Sequence, residues 1–174
     1  MTEQIQDPYL ITRANRRNPE GLPTNRQGRM TVNQRTWLFL HGLVIGLTIT
    51  GPGFVMFVIV WNMSVPLLLD GIFFLLLMLA VWGAKGYFLA VLDAINGEVY
   101  NIQGKIEGVE KGDGQTISYW YRIGNIDLHT TRRGYRILDQ EQTYVVYYAP
   151  HSKRLMNIEP YTTSVQGEYF TVLI

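Results

Sequence analysis

Apolar residues are concentrated in the middle of the chain and alternate with polar ones towards its end. From Trp37 to Trp61 the run WLFLHGLVIGLTITGPGFVMFVIVW holds 25 residues without a Lys, Arg, Asp or Glu. As a helix it is about 37 Å long, enough to cross a hydrocarbon core of about 30 Å with some tilt. A tryptophan at each end matches the aromatic belts of a bilayer. A helix in a soluble core is rarely apolar around its whole circumference over this length. The pattern predicts a transmembrane helix over 37–61. NMSV, residues 62–65, is a tight link, and Pro66 suits the first turn of a second helix, where its missing N–H costs nothing. PLLLDGIFFLLLMLAVWGA then runs to Lys85, and Tyr87, Phe88, Val91, Leu92 and Ile95 keep helical spacing beyond it. A second span with an interfacial extension is predicted over 66–92, ended by Asn96-Gly97.

Residues 96–160 change to a period of two. Glu98 to Glu110 alternates loosely, with Tyr100, Ile102 and Ile106 on one face. Gly112-Asp113-Gly114 suits a hairpin turn. In QTISYWYRI, Ile117, Tyr119, Tyr121 and Ile123 share one side, while Ser118, Trp120 and Arg122 share the other. Gly124-Asn125 turns the chain into IDLHT, and RRGYRILDQEQ is irregular. TYVVYYA is apolar on both faces and so reads as a central strand; HSKR turns it into LMNI. Five short strands at this spacing predict a small barrel-like domain of SH3 or oligonucleotide-binding shape. The fold class expected is α+β: a two-helix transmembrane hairpin followed by this β-domain. A C-terminal extension, 161–174, contains GEYFTVLI, which can add a strand to the barrel or to a neighbour.

Residues 1–36 are polar, rich in arginine and broken by Pro8, Pro19 and Pro23. They carry no secretory signal, because the first apolar run begins too late. Such a segment reads as an extended tail, disordered on its own. To be held still it needs a clamp, and the expected clamp is a partner protein.

Charge adds orientation. Six arginines precede the first span, the linker has none, and Lys85 follows the second span. The positive-inside rule therefore puts both termini in the cytoplasm. Residues 93–174 carry eight Lys and Arg against ten Asp and Glu. That balance argues against nucleic acid as a partner. The chain has no cysteine, which removes disulfides, thiolate catalysis and Cys-ligated metal centres.

The pattern Tyr147-Tyr148-x-Pro150-x-Ser152-x-x-Leu155-x-x-Ile158-Glu159-Pro160 resembles the end of a module in bacterial two-helix membrane proteins of unknown function. In those proteins, too, membrane helices precede a short β-domain beginning x-G-x-V/I, here Gly104-Lys105-Ile106. The resemblance covers roughly residues 98–160. It implies the architecture and a bacterial inner membrane, and it carries over no site residues.

Candidate chemistry is sparse. His41, beside Gly42, is a candidate haem or pigment ligand; its other reading is an interfacial histidine, since neither span has a second His to complete a haem pair. Gly42 and Gly46 form a GxxxG pair, and Gly51-Pro52-Gly53 is expected to kink the same helix. This helix-packing set serves either docking of another subunit or packing on the chain's own second helix. Asp70 and Lys85 read as interfacial markers. Arg132, Arg133 and Arg136 are candidates for contact with lipid headgroups or a partner, or else a solvated loop. His151-Ser152 with Glu159 does not make a triad, because adjacent residues on a tight turn cannot easily bring hydroxyl to imidazole. No catalytic residue, cofactor, metal or small-molecule substrate is expected. The expected function is a non-catalytic accessory subunit of a larger membrane complex, docked by its hairpin on other integral membrane subunits and in contact with lipid. The alternative is a stand-alone membrane-tethered adaptor whose β-domain binds a soluble protein or lipid headgroups.

Overall fold

Two long apolar helices and two three-stranded antiparallel sheets make up the computed structural model, which describes residues 9–62, 67–112 and 116–161. The fold is α+β. The linker after Asn62 with Pro66, the turn at Asp113-Gly114, the Asp70 side chain and the C-terminal extension from residue 162 lie outside the described residues. The chain divides into two units. Residues 32–96 form a helical unit, and the described residues up to Thr31 join those from Gly97 onward in the other.

Helix α3, Val32–Asn62, and helix α4, Leu67–Asn96, have 31 and 30 residues, about 45 Å each. Both are long and apolar enough to cross a membrane. They pack on one another through small residues. A Cβ on Gly42 would stand 2.7 Å from the Tyr87 carbonyl oxygen, and one on Gly46 would stand 3.2 Å from the Phe88 ring. Arg35 closes the C-terminal end of α4, donating from Nε to the Ala94 carbonyl at 2.9 Å and from Nη2 to that of Ile95 at 2.8 Å. Those carbonyls lack partners within their own helix. α3 continues through Pro52. The Thr48 and Thr50 hydroxyls donate to the carbonyls of Val44 and Gly46, so these polar groups are satisfied on their own helix.

The other unit has six strands rather than the five expected. They are β1 Tyr100–Lys105, β2 Glu107–Lys111, β3 Ser118–Ile123, β4 Ile126–Thr130, β5 Thr143–Tyr148 and β6 Leu155–Pro160. One sheet has the order β1-β5-β6 and the other β2-β3-β4, and they do not close into a barrel. The physical reason lies at Ile106, 1% exposed, where the long first strand breaks. Residues before it pair with β5 and residues after it pair with β3. Ile106 enters the core with Tyr121, Ile123, Leu128, Tyr144, Val146 and Ile158. As its double apolar face suggests, β5 is central in its sheet.

The described part of the N-terminal segment, from residue 9, is not extended. It forms helix α1, Leu10–Ala14, a 3-10 turn at Pro19–Gly21 and helix α2, Leu22–Arg26. Pro19 and Pro23 sit in first turns, and the Asn18 side chain caps the 3-10 turn by accepting from the Glu20 N–H at 3.1 Å. Ile11 reaches the core of the β-domain. Residues 28–30 then pair with residues 97–99: Met30 N–H donates to the Gly97 carbonyl at 2.8 Å, and Val99 N–H to that of Gly28 at 2.9 Å. Both glycines have positive φ, +75° and +71°, where a side chain would be strained. The clamp on the tail is the chain's own β-domain.

The glycine seam gives a paired expectation. Gly42→Val drives a side chain into the α4 backbone and costs on the order of 2–3 kcal/mol, whereas Gly51→Val, with open space around the new Cβ, stays within about 1 kcal/mol. Thermal unfolding of the two variants in the same detergent checks the difference.

Candidate functional site

The most elaborate constellation of polar side chains in the β-domain is where the N-terminal segment meets β6. All of β6 from Leu155 to Glu159 is buried, although it lies at the edge of its sheet. Glu159 is only 6% exposed. A carboxylate in such a place needs partners. Arg26 supplies two parallel hydrogen bonds, Nε to Oε1 at 3.0 Å and Nη2 to Oε2 at 2.5 Å, and the Tyr147 hydroxyl donates to Oε1 at 2.9 Å. The planar fork of arginine suits this bidentate geometry. Beside it, Asn157 Nδ2 donates to Asn25 Oδ1 at 2.6 Å, and Asn25 Nδ2 donates to the Arg29 carbonyl at 2.9 Å.

A second anchor is Asn15, at the end of α1. Its amide nitrogen donates to the Ile11 carbonyl and to the Tyr121 hydroxyl, both at 3.0 Å. Its oxygen accepts from the Thr130 hydroxyl and from the Thr131 N–H. Both donors and both acceptor positions are therefore used. Thr12 adds a bond from its hydroxyl to the Ile158 carbonyl. Helix α5, Arg132–Ile137, begins at the same point: the Thr131 hydroxyl accepts from Gly134 N–H at 3.0 Å and donates to the Ala14 carbonyl at 2.6 Å. Gly134 is a glycine because Asn15 lies against it, and a Cβ there would stand 2.5 Å from Asn15 Oδ1.

Burial raises the Tyr121 and Tyr147 hydroxyls above the ordinary tyrosine value, with the Glu159 charge adding at Tyr147. The hydrogen bond to Glu159 holds the Arg26 guanidinium in its charged form. Burial lowers Arg17 to about 10, and the like charge of Arg154 works in the same direction. On the opposite sheet, the bond from Arg122, then that from Lys111, holds Asp127 down at about 2. The Lys111 ammonium also lies 4.7 Å from the Trp120 ring centre. Two cations thus share one carboxylate on that sheet.

The residues singled out in the sequence are dispersed. His41 is half-buried in the helical unit, stacked on Trp37 at 4.9 Å and edge-on to Tyr87 at 6.2 Å. Gly42 and Gly46 serve the contact with α4, a Cβ on Gly53 would stand 3.7 Å from the Leu77 side chain, and one on Gly51 would meet open space. The glycine seam is thus occupied by the chain's own second helix. Arg132, Arg133 and Arg136 are all exposed, on a short helix where a loop was expected. Glu159 is engaged by Arg26 and Tyr147. Among the described residues no group of three or more His, Cys, Asp or Glu could hold a metal ion.

Asn15, Asn25 and Arg26 were not found from the sequence, because polar residues in a polar segment break no pattern. The available signal was local: Ile11 and Leu22 stand out as apolar, and Asn18-Pro19-Glu20 has the form of a cap. No protein-family model matches the chain, and no curated protein or solved structure matches it either.

Replacing Arg26 by Met leaves the Glu159 carboxylate buried without its cation and costs the β-domain about 3 kcal/mol. Faster hydrogen exchange across residues 10–31 is the expected readout, and Gly134→Val should act on the same segment. Alkali provides a further check. Tyr121 and Tyr147 stay protonated in the folded state beyond the ordinary value of 10.0, so the unfolded chain loses those protons first. Stability from these two groups is full below pH 10 and falls as the pH rises past it. A denaturant series across that range, followed by near-ultraviolet circular dichroism, measures the loss.

Proposed function

We propose that the chain is a membrane-embedded hairpin carrying a cytoplasmic β-domain, and that it serves as a non-catalytic accessory subunit docked on larger integral membrane proteins. The observation that carries the reading is the outer surface of the two helices. Leu75, Leu79 and Trp82 on α4 are 68%, 67% and 77% exposed, and Val44, Phe54 and Trp61 on α3 are 59%, 58% and 67% exposed. Soluble monomers rarely present contiguous apolar surface of this extent. Hydrocarbon covers such a surface without penalty, and the internal bonds of both helices already satisfy their backbones. Lys85, its ammonium 5.9 Å from the Trp82 ring centre, suits an interfacial position.

Orientation rests on the arginines that precede α3 and their absence from the linker, which favours both termini on the cytoplasmic side. The resemblance of the Tyr147–Pro160 pattern to bacterial membrane modules favours the bacterial inner membrane. Since α4 occupies the Gly42–Gly46 seam, docking on other subunits uses the outward helix faces. Gly51, with no atom near its would-be Cβ, is the small residue on α3 left available to a neighbouring helix.

Gentle extraction from native membranes followed by native electrophoresis tests the assignment. The chain should migrate with larger proteins, and migration as a lone 20.0 kDa species in its detergent micelle would overturn the accessory role. Protease applied outside intact cells should leave the β-domain whole; cleavage there would reverse the orientation.

A further inference from the structure

The Asn15–Gly134 contact does more than hold the tail. It brings two arginine-bearing segments together, because Arg13 and Arg16 flank Asn15 while Arg132, Arg133 and Arg136 flank Gly134. All five side chains are exposed. Arg16, Arg132, Arg133 and Arg136 make no ion pair with any described residue. The nearby acids are engaged elsewhere: Glu141 with Lys105, Glu110 with the Tyr135 hydroxyl, and Asp139 with the Glu141 N–H. Arg132 and Arg136 lie four residues apart on one face of α5, where like charges repel. In isolation this cluster opposes the docking of the tail, so an anion that screens it stabilises the assembled form.

We infer that α1 and α5 together form a composite surface for the phosphate groups of an anionic bilayer, complete only when the N-terminal segment is docked. The inference rests on the membrane reading above. Three features select lipid. The cluster is entirely arginine, whose fork binds phosphate in a bidentate manner. Gly97, the residue after α4 ends, already belongs to the compact unit of the β-domain, and β1 follows at Tyr100, so a membrane-embedded hairpin tethers that unit close to the headgroup layer. The acidic balance of residues 93–174 opposes free association with nucleic acid. An anionic leaflet attracts each basic residue close to it strongly enough to change binding about fivefold.

The test uses the full chain in nanodiscs of phosphatidylcholine alone and of phosphatidylcholine mixed with phosphatidylglycerol. Hydrogen exchange is read over residues 9–17 and 131–137. Exchange should slow in the anionic discs and revert as salt is added. The lipid-dependent slowing should drop about fivefold for each arginine replaced in the series R16Q, R132Q, R133Q and R136Q, and vanish in the quadruple variant. N15A should remove the Arg16 share while leaving that of α5. Equal exchange in both lipids, or slowing that persists in the quadruple variant, overturns the inference while leaving the anchor intact. Protection induced by RNA or an acidic polypeptide but not by lipid overturns it as well. A chain that fails to enter the discs overturns the membrane reading itself, and this inference with it.

Discussion

A carboxylate buried at the edge of a sheet constrains the whole β-domain. Glu159 is kept out of water by the same segment that neutralises it, because Arg26 both covers β6 and supplies the cation. Without the N-terminal segment, β6 would offer water an unpaired edge and a face lined by Tyr147, Asn157 and Glu159. With the segment present, Glu159 accepts from Arg26 and the Asn157 amide nitrogen donates to Asn25, while Tyr147 donates to Glu159 within the sheet. The cost of burying charge is offset only by this geometry, and so it specifies where the tail must lie. The network at Asn15 repeats the logic with neutral groups, using all four of its hydrogen-bonding positions.

This closure makes a single unit from chain segments on either side of a helical hairpin. Residues 28–30 pair with residues 97–99, so the chain leaves for α3 and returns from α4 side by side. Within the hairpin, Gly42 and Gly46 give the close approach, and Arg35 closes the last turn of α4. The two units thus use different physics. Side-chain polarity organises the β-domain, whereas the helices satisfy their backbones internally and turn apolar side chains outward.

Some of this was legible from residue order. An uncharged run with a tryptophan at each end, and a second run with Asp70 as its one charge before Lys85, specify long helices, because helix length and apolarity are local properties. TYVVYY reads as a central strand for a similar reason: both faces are apolar, so both must be covered. The alternation through Tyr119, Tyr121 and Ile123 points to the buried face of β3. The glycine pair was legible as a close contact, but its occupant was not. A small residue states that something comes near without stating what, and α4 proved to be the neighbour.

The sequence by itself determined which stretches avoid water, where the strands of the β-domain begin to alternate, and that the arginines before α3 outnumber those of the linker. These properties are carried by hydrophobicity and charge summed over neighbouring residues. Tertiary structure alone decided that the strand through Ile106 splits between two sheets, that the sheets stay open, and that Asn15, Asn25 and Arg26 are interior anchors. The three anchors bond partners more than 100 positions away: Asn15 and Tyr121 are 106 residues apart, Asn25 and Asn157 132, and Arg26 and Glu159 133. A buried polar group is recognisable only by the hydrogen bonds that replace water, and those bonds exist only after the chain has closed on itself.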